Sequence, residues 1–198
     1  MEPNEPTPDH LIINIARDKI ALGPNRSDLL PLYLQWYNDF EAMMPYLLQL
    51  RPRTREAQET MFAASAKPDP SSVDFTIYER STMRPIGITL LFDIDLVYQI
   101  AEYSIFIGAR DCWGKGYGTE TTILMLDYGF TLLGLHNIML RVDSHNERAI
   151  RAYLRAGFTE FGRRREGRRR GVRRYDVIYM DCLATEFKNS RLSSLLPE

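Results

Sequence analysis

Two stretches of this chain carry residues whose types and spacing can do chemistry. The first is 111–119, DCWGKGYGT, where Gly114, Gly116 and Gly118 remove three Cβ atoms from one turn. Such a turn lets backbone N–H groups converge, and the dipole of a helix starting there adds partial positive charge, which suits a pyrophosphate. A plain tight strand-to-helix turn would also use these glycines. The spacing departs from a Walker A loop, because Lys115 is followed by Gly116 and not by Ser or Thr. It departs from the dinucleotide fingerprint as well, because the glycines run G-x-G-x-G and position 119 is Thr. The second stretch is 146–158, NERAIRAYLRAGF: Asn146 can cap a helix, Ala149, Ile150, Tyr153 and Leu154 mark one face, and Gly157 ends it.

The elements that must position these stretches follow from periodicity. Apolar residues alternate at Ile13 and Ile15, then at Ile20 and Leu22, ahead of the Gly23-Pro24 turn. Ser27 and Asp28 can cap a helix bearing Leu29, Leu32, Tyr33 and Trp36, and a second helix is expected from Thr54 to before Pro68. Strands are expected at 73–78, 85–95 and 100–108, a helix at 119–133 capped by Gly134, and a strand at 138–142. The helix at 147–156 and strands at 158–164 and 175–182, flanking an arginine loop, complete the pattern. Together these predict a mixed α/β domain around one sheet.

The 198 residues, 44% hydrophobic and 26% charged, suffice for one domain with a real core. Residues 1–10, MEPNEPTPDH, lack packing residues and are expected to be a disordered tail, with the domain at 11–187 and a short tail at 188–198. No apolar run reaches about eighteen residues, and the amino terminus is acidic and proline-rich, which argues against membrane spanning or secretion. Cys112 and Cys182 are too few for a disulfide framework, so a reducing cytoplasm is the expected location. They and the isolated His136 and His145 lack metal-ligand spacing, so no metal is expected. The net charge of −1 hides an asymmetry: 163–174 holds eight arginines against one acid, a local +7 that leaves −8 elsewhere. That stretch can face an anion or be a solvated loop.

These two motifs in this order resemble the GNAT superfamily of acyl-CoA-dependent N-acetyltransferases, in particular its ribosomal-protein amino-terminal (RimJ/RimL-like) branch. The superfamily's loop signature, Q/R-x-x-G-x-G/A, falls on Trp113, Gly116 and Gly118, with Trp113 as the departure; its later motif is matched by Asn146, Ala149, Tyr153, Gly157 and Phe158. WYND at 36–39 and LGLHNIMLRV before Asn146 are similar to the branch's first helix and fifth strand.

The resemblance implies a GNAT-like acyl-CoA N-acyltransferase fold, a central mixed sheet of about seven strands with helices on both faces, together with acetyl-CoA as co-substrate and direct acetyl transfer to an amine. It implies that main-chain amides of Trp113, Gly114, Lys115, Gly116, Tyr117, Gly118 and Thr119 hold the diphosphate, with Lys115 a possible point charge or simply solvated. Backbone at Phe106 and Ile107 would pair with the pantetheine amides like an added strand, and Asn146 would lie beside that arm. Tyr153 takes the place of the acid that protonates the departing thiolate. An alkylammonium must also lose a proton, and Glu102 is the candidate base, with Tyr103 or a water as substitute. Cys112 has no part in such a transfer. The acceptor, a peptide amino terminus or a small amine, would enter between the first two helices and the last hairpin. Trp36, Tyr37, Phe40, Met43, Met44 and Tyr46 offer pocket or core there. A homodimer fits the resemblance. A non-catalytic coenzyme-binding module and an RNA-binding protein using the arginines are the other readings; arginines without interleaved aromatics count against nucleic acid.

Overall fold

A computed structural model describes residues 11–44, 51–65, 67 and 69–195. Tyr46, residues 1–10 and residues 196–198 lie outside the described residues. The elements run β1 Ile15–Ala16, β2 Ile20–Gly23, α1 Leu30–Asn38, α2 Phe40–Met43, α3 Arg55–Ser65, β3 Val73–Glu79, β4 Arg84–Asp95 and β5 Ile100–Ile107. They continue as α4 Tyr117–Asp127, β6 Asn137–Asp143, α5 Glu147–Ala156, β7 Thr159–Arg170 and β8 Arg173–Leu183. The eight strands form one sheet in the order β1-β2-β3-β4-β5-β6-β8-β7, antiparallel except for β5 against β6.

That one parallel junction is where the sheet comes apart. Its ladder covers only Ile100, Ala101 and Glu102 against Asn137, Ile138 and Met139, yet β5 runs on to Ile107 and β6 to Asp143. The carboxyl-terminal halves of these two strands therefore flank a slot, and main-chain groups along it can pair with an inserted extended chain.

Alternation along β5 sends Tyr103, Ile105 and Ile107 into the larger core with Leu124 and Met125 of α4 and Tyr153 of α5. Phe106 goes to the other face, into a smaller cluster with Tyr33 and Trp36 of α1, Ala42 and Met43 of α2, and Ile88. Trp113 packs against both clusters. Gly108, just past β5, has no space for a side chain, because a Cβ there would run into the Trp36 indole.

Several elements differ from the sequence-based expectations. Ser27 and Asp28 do not cap α1; they form a 3-10 turn, Ser27–Leu29, and Asp28 instead pairs with Arg26 at 2.9 Å. Pro31 opens α1 without any side-chain cap, its missing N–H costing nothing in the first turn. The Thr54 hydroxyl does cap α3, accepting from Ala57 N at 3.2 Å. The helix expected over 119–133 starts two residues earlier, at Tyr117, and passes into a π turn, Tyr128–Leu132, before Gly134 at φ +67°.

The arginines expected in a loop are mostly in strands, since β7 reaches Arg170 and β8 resumes at Arg173 around a two-residue turn of Gly171 and Val172. The carboxyl-terminal stretch expected to be a tail docks: the fully buried Asp127 of α4 accepts from Ser190 Oγ, Arg191 N and Leu192 N.

Candidate active site

The cleft of interest lies at the open side of the slot, lined by Ile105 and Ile107 of β5, the glycine turn except for Lys115, and Asn146, Arg148, Ala149 and Tyr153. Gly114 has φ +77° and Gly116, which caps α4, has φ +87°, conformations costly to any residue with a Cβ. A Cβ built at Gly114 or Gly118 meets nothing within 4 Å, so the glycines leave open room beside the helix amino terminus. Room and convergent N–H groups at one helix start fit a diphosphate.

The Trp113 side chain has two uses. Its indole N–H donates to the Ile107 carbonyl at 2.9 Å, tying the turn to the end of β5, and the Arg148 guanidinium lies over the ring at 4.0 Å. Ile107 therefore offers a carbonyl already engaged on one side, while Phe106 has its side chain stacked on Tyr37 at 5.9 Å on the opposite face. Lys115 is exposed. The Tyr117 hydroxyl donates to Glu79, which pushes its pKa up to about 12. Thr119 lines the cleft from the first turn of α4.

Asn146 is the cap of α5, its side-chain oxygen accepting from Ala149 N at 3.2 Å. Gly157 closes the helix at φ +113°, with its N–H on the carbonyls of Tyr153 and Leu154. These two ends fix the rotation of α5, and so Tyr153 faces inward, 8% exposed, edge-on to Tyr103 at 6.4 Å and to Phe158 at 6.0 Å.

Glu102 is on the other face of the sheet, on the last rung of the parallel ladder where the slot opens. Its Oε1 accepts from Arg141 Nε at 2.7 Å. The structure thus brings Tyr153, Asn146 and the glycine turn into one cleft and puts Glu102 across the sheet from them. Tyr103 is tied to Thr122 Oγ1 at 3.0 Å. Cys112 reaches the cleft wall but is 2% exposed, with its thiol pKa pushed up by burial, against any role as a thiolate nucleophile.

Two cations escaped the sequence reading. Arg148 stands two residues after the Asn146 cap, and its spacing gave no sign that it would cover Trp113. Lys19, from the turn before β2, brings its Nζ within 3.3 Å of the Lys115 carbonyl. Nothing local in the sequence links positions 19 and 115.

Residues 20–159 match the family model of the acetyltransferase (GNAT) domain. The chain is 41% identical over 76 residues to the spermidine N(1)-acetyltransferase of Escherichia coli K12, covering 38% of this chain and 40% of that protein. It is 30% identical over 154 residues to human alpha/beta-tubulin-N-acetyltransferase 9, covering 72% and 73%. The chain thus spans about two fifths of the length of the E. coli relative. Among solved structures, spermidine N-acetyltransferase of Vibrio cholerae in complex with CoA and spermine superposes with a TM-score of 0.77 at 26% identity, over 85% of this chain and 97% of that one. These relatives are named for polyamine and tubulin acetylation, so they lend no support to the ribosomal-protein branch in particular. On the family match over most of its length and on the split sheet with its glycine turn, this chain belongs to the GNAT acetyltransferase family.

Proposed function

We propose that the protein transfers the acetyl group of acetyl-CoA directly to a primary amine. The observation that carries the reading is that a positive-φ glycine turn, Ile105 and Ile107 at the slot end of β5 and an inward tyrosine line a single cleft. Main-chain N–H groups of 113–119 hold the diphosphate, β5 receives the pantetheine arm at the slot, and Asn146 lies along that arm. The amine nitrogen attacks the thioester carbon; the C–N bond forms, the C–S bond breaks, and Tyr153 gives its phenolic proton to the departing sulfur. Glu102 takes the proton that the nitrogen sheds, directly or through a water, from the opposite face. With the base and the acid on different faces of the slot, the nitrogen of the tetrahedral adduct can lose its proton on one side while the sulfur gains one on the other, and no single side chain has to do both.

A short polyamine is the acceptor favoured by the similarity to the spermidine enzymes. The arginine hairpin opposes it less than its composition implies: Arg168 and Arg170 pair with Asp143 at 3.4 and 2.8 Å, and Arg163 spans Glu160 and Asp176 at 3.1 and 3.5 Å. A peptide amino terminus, with acidic residues following it, is the second reading. It is favoured by Arg164, Arg165, Arg169, Arg173 and Arg174, which have no ion-pair partner among the described residues. Thiol release from acetyl-CoA, followed across spermidine, spermine and peptides with different first residues, tests both. Release with spermidine above every peptide supports the first reading, the reverse order supports the second, and coenzyme binding without release to any amine would leave a non-catalytic module.

A further inference from the structure

The turn Arg17-Asp18-Lys19 is held from several directions at once. Arg191 pairs with Asp18 at 2.9 Å, Arg17 Nη1 donates to the Asn189 carbonyl at 3.3 Å, and the Arg80 side chain donates to the Arg17 carbonyl. Lys19 itself is pinned on both sides of its main chain: its carbonyl accepts from Arg80 N at 2.9 Å, and its N–H donates to Glu120 Oε1 in the first turn of α4. The same carboxylate oxygen also accepts from Ile20 N at 3.2 Å. What this anchoring delivers is the Lys19 side chain, whose ammonium donates to the Lys115 carbonyl at 3.3 Å and lies 3.6 Å from the place a Gly116 Cβ would occupy. An exposed lysine held for show would be expected to wander; this one has a fixed root and a partner in the glycine turn.

We propose that Lys19 is a positioning residue of the coenzyme site. The Lys115–Gly116 peptide is trans, so its carbonyl and the Gly116 N–H point in opposite directions. By holding the carbonyl from behind, Lys19 keeps that N–H turned to the diphosphate side, and its charge adds to the positive end of α4. The first strand pair is thereby a working part of a site otherwise built from residues 105–153. This inference rests on the acetyl-CoA reading above.

The test compares Lys19→Met and Lys19→Arg with the unaltered protein, using acetyl-CoA and S-acetylpantetheine, which lacks the diphosphate, as acyl donors. For Lys19→Met, KM for acetyl-CoA and Kd for CoA rise about fivefold, as loss of one surface charge at a helix start implies, while kcat stays within about twofold. The rise shrinks at high salt, Lys19→Arg restores most of the affinity, and kcat/KM with S-acetylpantetheine is unchanged. An unchanged Kd for CoA in Lys19→Met overturns the inference, and so does an equal loss with S-acetylpantetheine, which would mark Lys19 as a general structural residue. If the unaltered protein itself binds no CoA, the acetyl-CoA reading fails and this inference falls with it.

Discussion

At the glycine turn the groups offered to a ligand are main-chain amides; at the end where we propose that the acceptor enters, they are side chains drawn from α1, α2 and the β7–β8 hairpin. The first end needs particular residues at particular spacings, because only glycine relaxes at φ +77° and +87°. The second can be built from many residue types, because it needs a shape and a charge. Burial follows the same division. The turn is fastened to the core through Trp113 and the two caps of α5, whereas most of the hairpin arginines are exposed and, ahead of Val177, β8 is in ladder register with β7 alone. A GNAT chain can therefore keep one coenzyme end and vary the other, and substitutions at the two ends should read out on different kinetic constants.

The largest effect is expected where the chemistry is concentrated. Tyr153→Phe lowers kcat by about 10²-fold or more with little change in KM for acetyl-CoA, since an acid acts mainly in the transition state. The alkaline fall of kcat is the second readout. A tyrosine acid must be protonated, so activity drops as pH rises through its pKa. Tyr117, pushed up to about 12 by Glu79, stays protonated throughout the accessible range and cannot supply that limb. Tyr117→Phe leaves the limb in place, and Tyr153→Phe removes it. A limb that survives Tyr153→Phe would take the acid role from this residue.

Next in size is Glu102→Gln, expected to lower kcat by about tenfold near neutral pH and by less as pH approaches 10, where more of the amine is already neutral. An equal loss at every pH would mark the Glu102–Arg141 pair as a brace for the slot. Gly116→Ala belongs to the other side of the comparison. Forcing an L-residue to φ +87° costs about 1–2 kcal/mol, a strain that the free turn sheds by relaxing and the coenzyme-bound turn must bear, so Kd for CoA should rise by about tenfold, with acceptor KM unchanged. Isothermal titration with CoA measures it directly.

How far the sequence could be read follows from the same contrast. The glycine turn, the caps Asn146 and Gly157 and the inward Tyr153 were legible because each is a local requirement written within a few residues. The π turn at Tyr128–Leu132 and the end of the parallel ladder at Glu102 were not, since both depend on how α4 and β6 pack against distant strands. Glu102 could be put on a strand and on a face, but its pairing with Arg141 crosses from β5 to β6 and has no local signal. Lys19 and the carboxyl-terminal contacts to Asp127 join segments about 60 to 100 residues apart. The arginines read as a loop from composition because charge density resembles a solvated turn; the antiparallel register of Arg168, Arg169 and Arg170 against Tyr175, Arg174 and Arg173 carries them as strand instead.

The smallest expected effect separates the ends most cleanly. Arg164, Arg169, Arg173 and Arg174 have no ion-pair partner among the described residues, whereas Arg168 and Arg170 are held by Asp143. Changing those four to Gln removes four charges and leaves the Asp143 cluster intact. For exposed charges several ångströms from a bound cation, each contributes about 0.2–0.5 kcal/mol, screened by salt. If the hairpin borders the acceptor, KM for spermidine falls by a few-fold at low ionic strength and KM for an acidic peptide rises by a similar factor, both converging on the unaltered values at high salt. KM for acetyl-CoA stays where it was, because the turn at 113–119 draws its positive character from α4, Lys19 and Lys115. Should acetyl-CoA KM move and the acceptor constants stay fixed, the hairpin serves the coenzyme, and the division between an amide-built end and a side-chain-built end no longer holds.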